Sequence, residues 1–136
     1  DRLIGNQGLL GERDAIYKAN IELLIGSKQR PKIIVDWTHI PNTEKYALRA
    51  ALATTGRDLT LFEDVYPKEK ENSPLVHREF LRKLKMLLPG DYKPIIITDA
   101  GFHNTWFKQV LNLGWDYIGR VRGKKLYRRL EEKKWK

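Results

Sequence analysis

Two runs of branched apolar residues, each closing on an aspartate, constrain this chain more than anything else in it. They are IIVDWTHI, from Ile33 to Ile40, and IIITDAGFHN, from Ile95 to Asn104. Both apolar runs are too short and too β-branched for helices, so they predict strands. The unbroken run before Asp99 predicts a strand covered on both faces, as in the parallel part of a sheet. A carboxylate at the end of such a strand demands a reason, because charge is expensive to hold near an apolar interior.

The segments between these runs set the architecture. ERDAIYKANIELLIG places Ile16, Ala19, Leu23 and Leu24 at helical spacing and stops at Gly26; it predicts a helix after an irregular glycine-rich opening. SPLVHREFLRKLKMLLPG has Ser73 as N-cap, Pro74 at the first helical position, and a stripe of Val76, Phe80, Leu84 and Leu87, with Pro89-Gly90 as its stop. NTWFKQVLNLG predicts a short helix packing through Trp106, Phe107, Val110 and Leu111, and WDYIGRVRG alternates like a strand. TTGRD reads as a hairpin turn before a strand LTLFEDVY. Residues 46–54 are open: Ala, Leu and Arg favour a helix by propensity, while Leu48, Ala50, Leu52 and Thr54 also alternate. The order is strand, strand pair, helix, strand, helix, strand, which predicts α/β with a mixed sheet.

A chain of 136 residues supports one compact domain. No stretch approaches the roughly 20 apolar residues of a membrane span. The absence of cysteine excludes a disulfide framework and thiolate metal sites, and fits a reducing cytoplasm. Lys and Arg outnumber Asp and Glu by 26 to 17, a net +9. The excess is concentrated: residues 120–136 hold nine basic and two acidic residues, a net +7, which leaves +2 for the other 119. Such a patch attracts phosphate backbones, although a solvated terminal tail has the same composition.

In open α/β sheets, sites form beyond the carboxyl ends of strands. Asp36 and Asp99 both stand at such ends, and if their strands are neighbours the two carboxylates face one crevice. Two close carboxylates repel unless a cation joins them. A hard divalent ion such as Mg²⁺ suits that donor set, and a pair of such ions serves phosphodiester substitution. The plain alternative is that Asp99, just before Ala100-Gly101, forms a turn. Arg120 and Arg122 alternate with Val121 and share one strand face, where they would meet phosphates if that face borders the crevice. His39, His77 and His103 are scattered and make no metal spacing; His103 follows Asp99 closely enough to line the site. Trp37 and Thr38 are read as packing and pairing residues, and Trp115 as core.

Three strings, IIVDWTHI, ALRAALATTGRDLTLFEDVYP and IIITDAGFHNTWFKQVLNLGWDYIGRVRG, together resemble the catalytic core of bacterial DDE transposases. More narrowly, they resemble the cut-and-paste insertion-sequence group that releases DNA through hairpin ends. DRLIGN is similar to the segment leading into that core. The resemblance implies an RNase H-like fold: a mixed five-stranded sheet flanked by helices, with residues 46–54 as the second strand of an antiparallel start. It divides the chain into a lead-in at 1–30 with one helix, a core at 31–123, and a basic tail at 124–136 where an insertion begins. It implies Asp36 and Asp99 as catalytic and metal-binding residues, with Mg²⁺ or Mn²⁺ as cofactor. Arg120, Arg122, Lys124 and Lys125 would contact double-stranded DNA at transposon ends, bound by a dimer in the cytoplasm, with no membrane involved. The family's third carboxylate, in a tyrosine-arginine-glutamate-lysine signature, has no match: after Tyr127, Leu130 and Lys134 stand at the arginine and glutamate positions. The chain therefore reads as an incomplete core. Glu79, Glu63 and Asp64 are the acids that would have to substitute. The alternatives to a transposase are a DNA-binding remnant without catalysis and a generic RNase H-like nuclease.

Overall fold

The computed structural model describes residues 6–123, 126 and 131–134. Helix α1 (Gln7–Ile25) leads into three antiparallel strands, β1 (Lys32–His39), β2 (Lys45–Ala53) and β3 (Asp58–Pro67). A 3-10 turn at Lys68–Lys70 precedes α2 (Pro74–Leu87), followed by β4 (Ile95–Thr98), α3 (Asn104–Asn112) and β5 (Asp116–Gly119). The five strands form one sheet in the order β3-β2-β1-β4-β5, with β1, β4 and β5 parallel. This is the expected mixed sheet in an RNase H-like arrangement.

Residues 46–53 resolve as strand, and Thr54 lies just past its end. Lys45–Ala53 pairs along its whole length with β3, and Tyr46–Leu52 pairs with β1; those ladders outweigh a helix propensity of a few tenths of a kcal/mol per residue. The hairpins turn at Asn42 and Gly56, which adopt φ of 60° and 85°. A bulge shifts the β2–β3 register between Ala50 and Ala51. It explains why the sequential residues Leu61 and Phe62 are both fully buried, which strict alternation would forbid.

One face of the sheet carries the core: Ile33 and Val35 of β1, Leu48, Ala50 and Leu52 of β2, and Ile96 and Thr98 of β4 are all buried. The three helices pack on this face. Tyr17 of α1 meets Phe62 edge-on at 5.3 Å, and Phe80 of α2 stacks on Phe62 at 4.9 Å. Phe107 of α3 stacks on Tyr117 of β5 at 4.4 Å. The predicted stripe of α2 is the buried one, with His77 and Leu81 added to it. Ser73 starts this helix through its backbone carbonyl, which accepts from the His77 amide at 3.0 Å, and its hydroxyl makes no cap.

Three expectations need correction. Helix α1 begins earlier than expected, at Gln7, capped by Asn6 Oδ1 accepting from the Gly8 amide at 2.9 Å. Its inward face is Tyr17, Ile21, Leu24 and Ile25, while Ile16 and Leu23 are exposed. The polar residues Arg13, Tyr17 and Asn20 reach Asp64, the Glu63 carbonyl and the Thr60 carbonyl of β3. Those bonds let polar side chains occupy the inner face and blur the apolar period. On α3, Trp106 and Val110 are buried but Leu111 is exposed. The last strand ends at Gly119, short of both Arg120 and Arg122, so the two do not share a strand face. Trp115 lies in the core as expected.

Candidate active site

Val35 pairs with Thr98 at the end of the parallel β1–β4 ladder, so the next residue on each strand is an aspartate. Adjacent strands run about 4.8 Å apart, and residues in register project to the same face. Asp36 and Asp99 therefore stand side by side at the carboxyl edge, on the sheet face opposite Val35 and the core. Asp36 is half-buried and Asp99 is exposed. Burial pushes the Asp36 carboxyl above its ordinary range, and the negative charge of Asp99 pushes it further. The Trp37 amide and the Arg49 guanidinium oppose both effects without cancelling them. One oxygen of Asp99, Oδ1, accepts from the Gly101 amide at 2.8 Å. Asp99 thus takes the turn-forming role while standing beside Asp36 at the strand ends.

This row continues across the sheet. Asp36 pairs with Arg49 of β2, and Arg49 pairs with Glu63 of β3. On the other side, Thr98 pairs with Gly119, and the Arg120 amide donates to the Thr98 carbonyl at 3.1 Å. Arg120 is thereby the neighbour of Asp99. From edge to edge the row reads Glu63, Arg49, Asp36, Asp99, Arg120. Arg122 is exposed beyond the strand end. Lys124 and Lys125 lie outside the described residues, as do Tyr127, Leu130 and most of the basic tail.

Behind the row, on the core side, an aromatic cluster ties the two aspartate-bearing segments together. Trp37, directly after Asp36, donates its indole N–H to His77 Nε2 at 3.2 Å. The His77 ring stacks on Phe102, three residues past Asp99, at 5.2 Å and 25°, and meets Trp106 edge-on at 5.0 Å. Burial and the nearby His103 lower the His77 pKa to about 4. The ring is neutral at physiological pH, which its acceptor role toward Trp37 requires. His103 itself is exposed at the start of α3.

The substitute acids do not join the pair. Asp64 belongs to the core-side face, opposite Leu48, where Lys83 holds it at 2.6 Å and Arg13 at 3.4 Å. Burial opposes its ionisation, yet these cations bring its pKa below the ordinary value. Glu79 lies beside Tyr66, whose pKa is raised by burial and by the charges of Asp64 and Glu79. Glu63 is separated from Asp36 by Arg49. Among the described residues no group of three metal-ligating side chains forms.

Sequence reasoning did not single out Arg49 or assign a role to His77. Both left signals. Arg49 interrupts an apolar β2 at a position that faces Asp36 once the hairpin register is known, and His77 sits within the α2 stripe. The pair of oxygen donors suits a hard divalent cation, whose charge would relieve the repulsion that raises Asp36.

A family model described as Transposase DDE domain matches residues 27–136. No curated protein and no solved structure matches the chain.

Proposed function

The chain belongs to the transposase DDE domain family, and from that membership we propose that Asp36 and Asp99 are two carboxylates of a metal-dependent site that cuts and joins DNA at transposon ends. The observation that carries this reading is the register that sets the two aspartates side by side at the carboxyl ends of parallel neighbours. Transposition acts on DNA, and the net +9 of the chain favours a polyanionic substrate. No helix among the described residues is long and apolar enough to cross a membrane.

In this reading Asp36 and Asp99 hold Mg²⁺ or Mn²⁺. A cation bound there supplies Lewis-acid polarisation of the phosphodiester and acidifies a water. Asp99 Oδ1 accepts from the Gly101 amide, which fixes the loop and would hold this carboxylate in place for a cation. Arg120, next to Asp99 in the row, receives a backbone phosphate, and Arg122, Lys124 and Lys125 extend that contact along the duplex. The reaction is phosphodiester hydrolysis followed by attack of the freed 3′-hydroxyl on a target strand. Release through hairpin ends and work as a dimer on DNA belong to this reading and rest on the resemblance of the three strings. In this reading residues 31–123 form the catalytic core.

A second reading has one observation in its favour. Among the described residues no third acid completes the site, as in a DNA-binding remnant that has lost catalysis. Mn²⁺ titration separates the two. A two-carboxylate site binds weakly, on the order of millimolar, and Asp36→Asn or Asp99→Ala removes the binding. Mn²⁺ binding that survives both substitutions overturns the metal-site reading, and DNA binding indifferent to Mn²⁺ supports the remnant.

A further inference from the structure

Arg49 is a cation held where a structural cation has little reason to be. It lies half-buried in the middle of β2, between Asp36 on one side and Glu63 on the other. Arginine in a central strand sacrifices the β-branched packing that such positions favour. Its two immediate neighbours, Leu48 and Ala50, are fully buried on the other face. Ion pairs normally compensate a half-buried guanidinium. Among the described residues, however, none of the ion pairs within 4.0 Å involves Arg49: they join Arg13 to Asp14 and Asp64, Arg30 to Asp116, Lys68 to Glu44, and Lys83 to Asp64. Asp36 is near enough to feel the Arg49 charge, and neither flanking carboxylate is near enough to be gripped. Among the described residues the five guanidinium N–H donors have no acceptor and are left for another.

The chemistry of that acceptor follows from the fork of donors and from the row. A guanidinium presents parallel N–H groups that match the paired oxygens of a phosphate. A strand of DNA whose phosphodiester meets Asp36 and Asp99 has its neighbouring phosphates on either side of them. Arg120 flanks Asp99 at one end of the pair, and Arg49 flanks Asp36 at the other.

We propose that Arg49 is a phosphate-binding residue of the Asp36–Asp99 site, gripping the non-bridging oxygens of the DNA backbone as it crosses the row. This rests on the metal-site reading above, and it adds a substrate contact to it. The competing role is that of a counter-ion which merely keeps Asp36 charged. The two roles move different observables. A phosphate contact contributes to the salt dependence of DNA binding, about 0.9 in the slope of log K against log salt for each phosphate neutralised. A counter-ion to Asp36 that touches no phosphate leaves that slope unchanged.

The experiment uses the chain with Arg49→Gln and Arg49→Lys, each checked for an unchanged circular dichroism spectrum. Mn²⁺ alone is titrated first; a short DNA duplex is then titrated across a salt series, with and without Mn²⁺. The expected result is a salt slope lower by about 0.9 in Arg49→Gln and DNA affinity reduced five- to twentyfold. Mn²⁺ binding stays unchanged or tightens, because a cation beside the metal is gone. Arg49→Lys keeps the slope and recovers only part of the affinity, since an ammonium cannot form the bidentate contact. An unchanged slope in Arg49→Gln overturns the proposal, and the counter-ion role replaces it. Mn²⁺ binding that persists in Asp36→Asn and Asp99→Ala instead sinks the metal-site reading, while the slope still decides on Arg49.

Discussion

Lowering the pH from 7 to 5 will cost this protein about 2 kcal/mol of stability through one side chain, His77. Its folded pKa is about 4, pushed down from 6.5 by burial and by His103. The unfolded chain therefore takes up a proton on this ring as pH falls through 6.5, and the folded chain does not do so until about 4. Where the unfolded state binds more protons, stability rises with pH, so stability is lost on acidification across that window. Each tenfold difference in proton affinity is worth about 1.4 kcal/mol, so the full interval is worth about 3.5 kcal/mol, of which about 2 kcal/mol falls between pH 7 and 5. The carboxylates add little above pH 5, and Asp36, whose folded pKa is raised, changes in the opposite sense. The structural cost is specific: a protonated ring cannot accept the Trp37 N–H, and it places a charge between Phe102 and Trp106. The assay is urea unfolding at pH 7, 6 and 5 for the wild type and for His77→Gln, which keeps an acceptor but does not titrate. The variant starts less stable and shows a flatter pH dependence. Parallel loss of stability in both proteins would place the proton uptake on another group.

Two further substitutions test the packing around the site. Thr98 is 5% exposed and its hydroxyl has no hydrogen-bond partner among the described residues; Thr98→Val removes that cost and stabilises by about 1 kcal/mol, read as a shift in the urea midpoint at constant m-value. A loss of stability instead would show that the hydroxyl is satisfied. At Gly119 a methyl group would lie 2.5 Å from Cζ of Phe107, so Gly119→Ala forces that ring off Tyr117 and destabilises by about 1–3 kcal/mol; a melting temperature equal to wild type would show that the ring yields freely.

The family resemblance and the strand ends were readable because their signals are local. Branched apolar runs have few conformational options, and α2 declares itself through Pro74 and a stripe of Val76, Phe80, Leu84 and Leu87 that the core then buries. Asp36 and Asp99 were visible for the same reason: each interrupts a run that otherwise has no place for charge. Helix α1 was less legible, since its inner face includes Arg13, Tyr17 and Asn20. Their inward placement depends on carbonyls and a carboxylate of β3 that lie some 40 to 50 residues away in sequence.

By itself, then, the sequence determined the strand identities of β1 and β4, the framework of α2, and the two carboxylates at strand ends, because backbone sterics and apolar period act over a few neighbouring residues. Tertiary structure decided the rest. Pairing on both sides made β2 a strand, and the β1–β4 register put Asp36 beside Asp99. The same ladders placed Arg49 and Arg120 at either end of the pair, and helix packing brought the His77 ring between Trp37 and Phe102. Each of these is a contact between distant segments, set by which strands hydrogen-bond and in what register, and a one-residue slip in that register would have turned every one of the row's side chains to the other face.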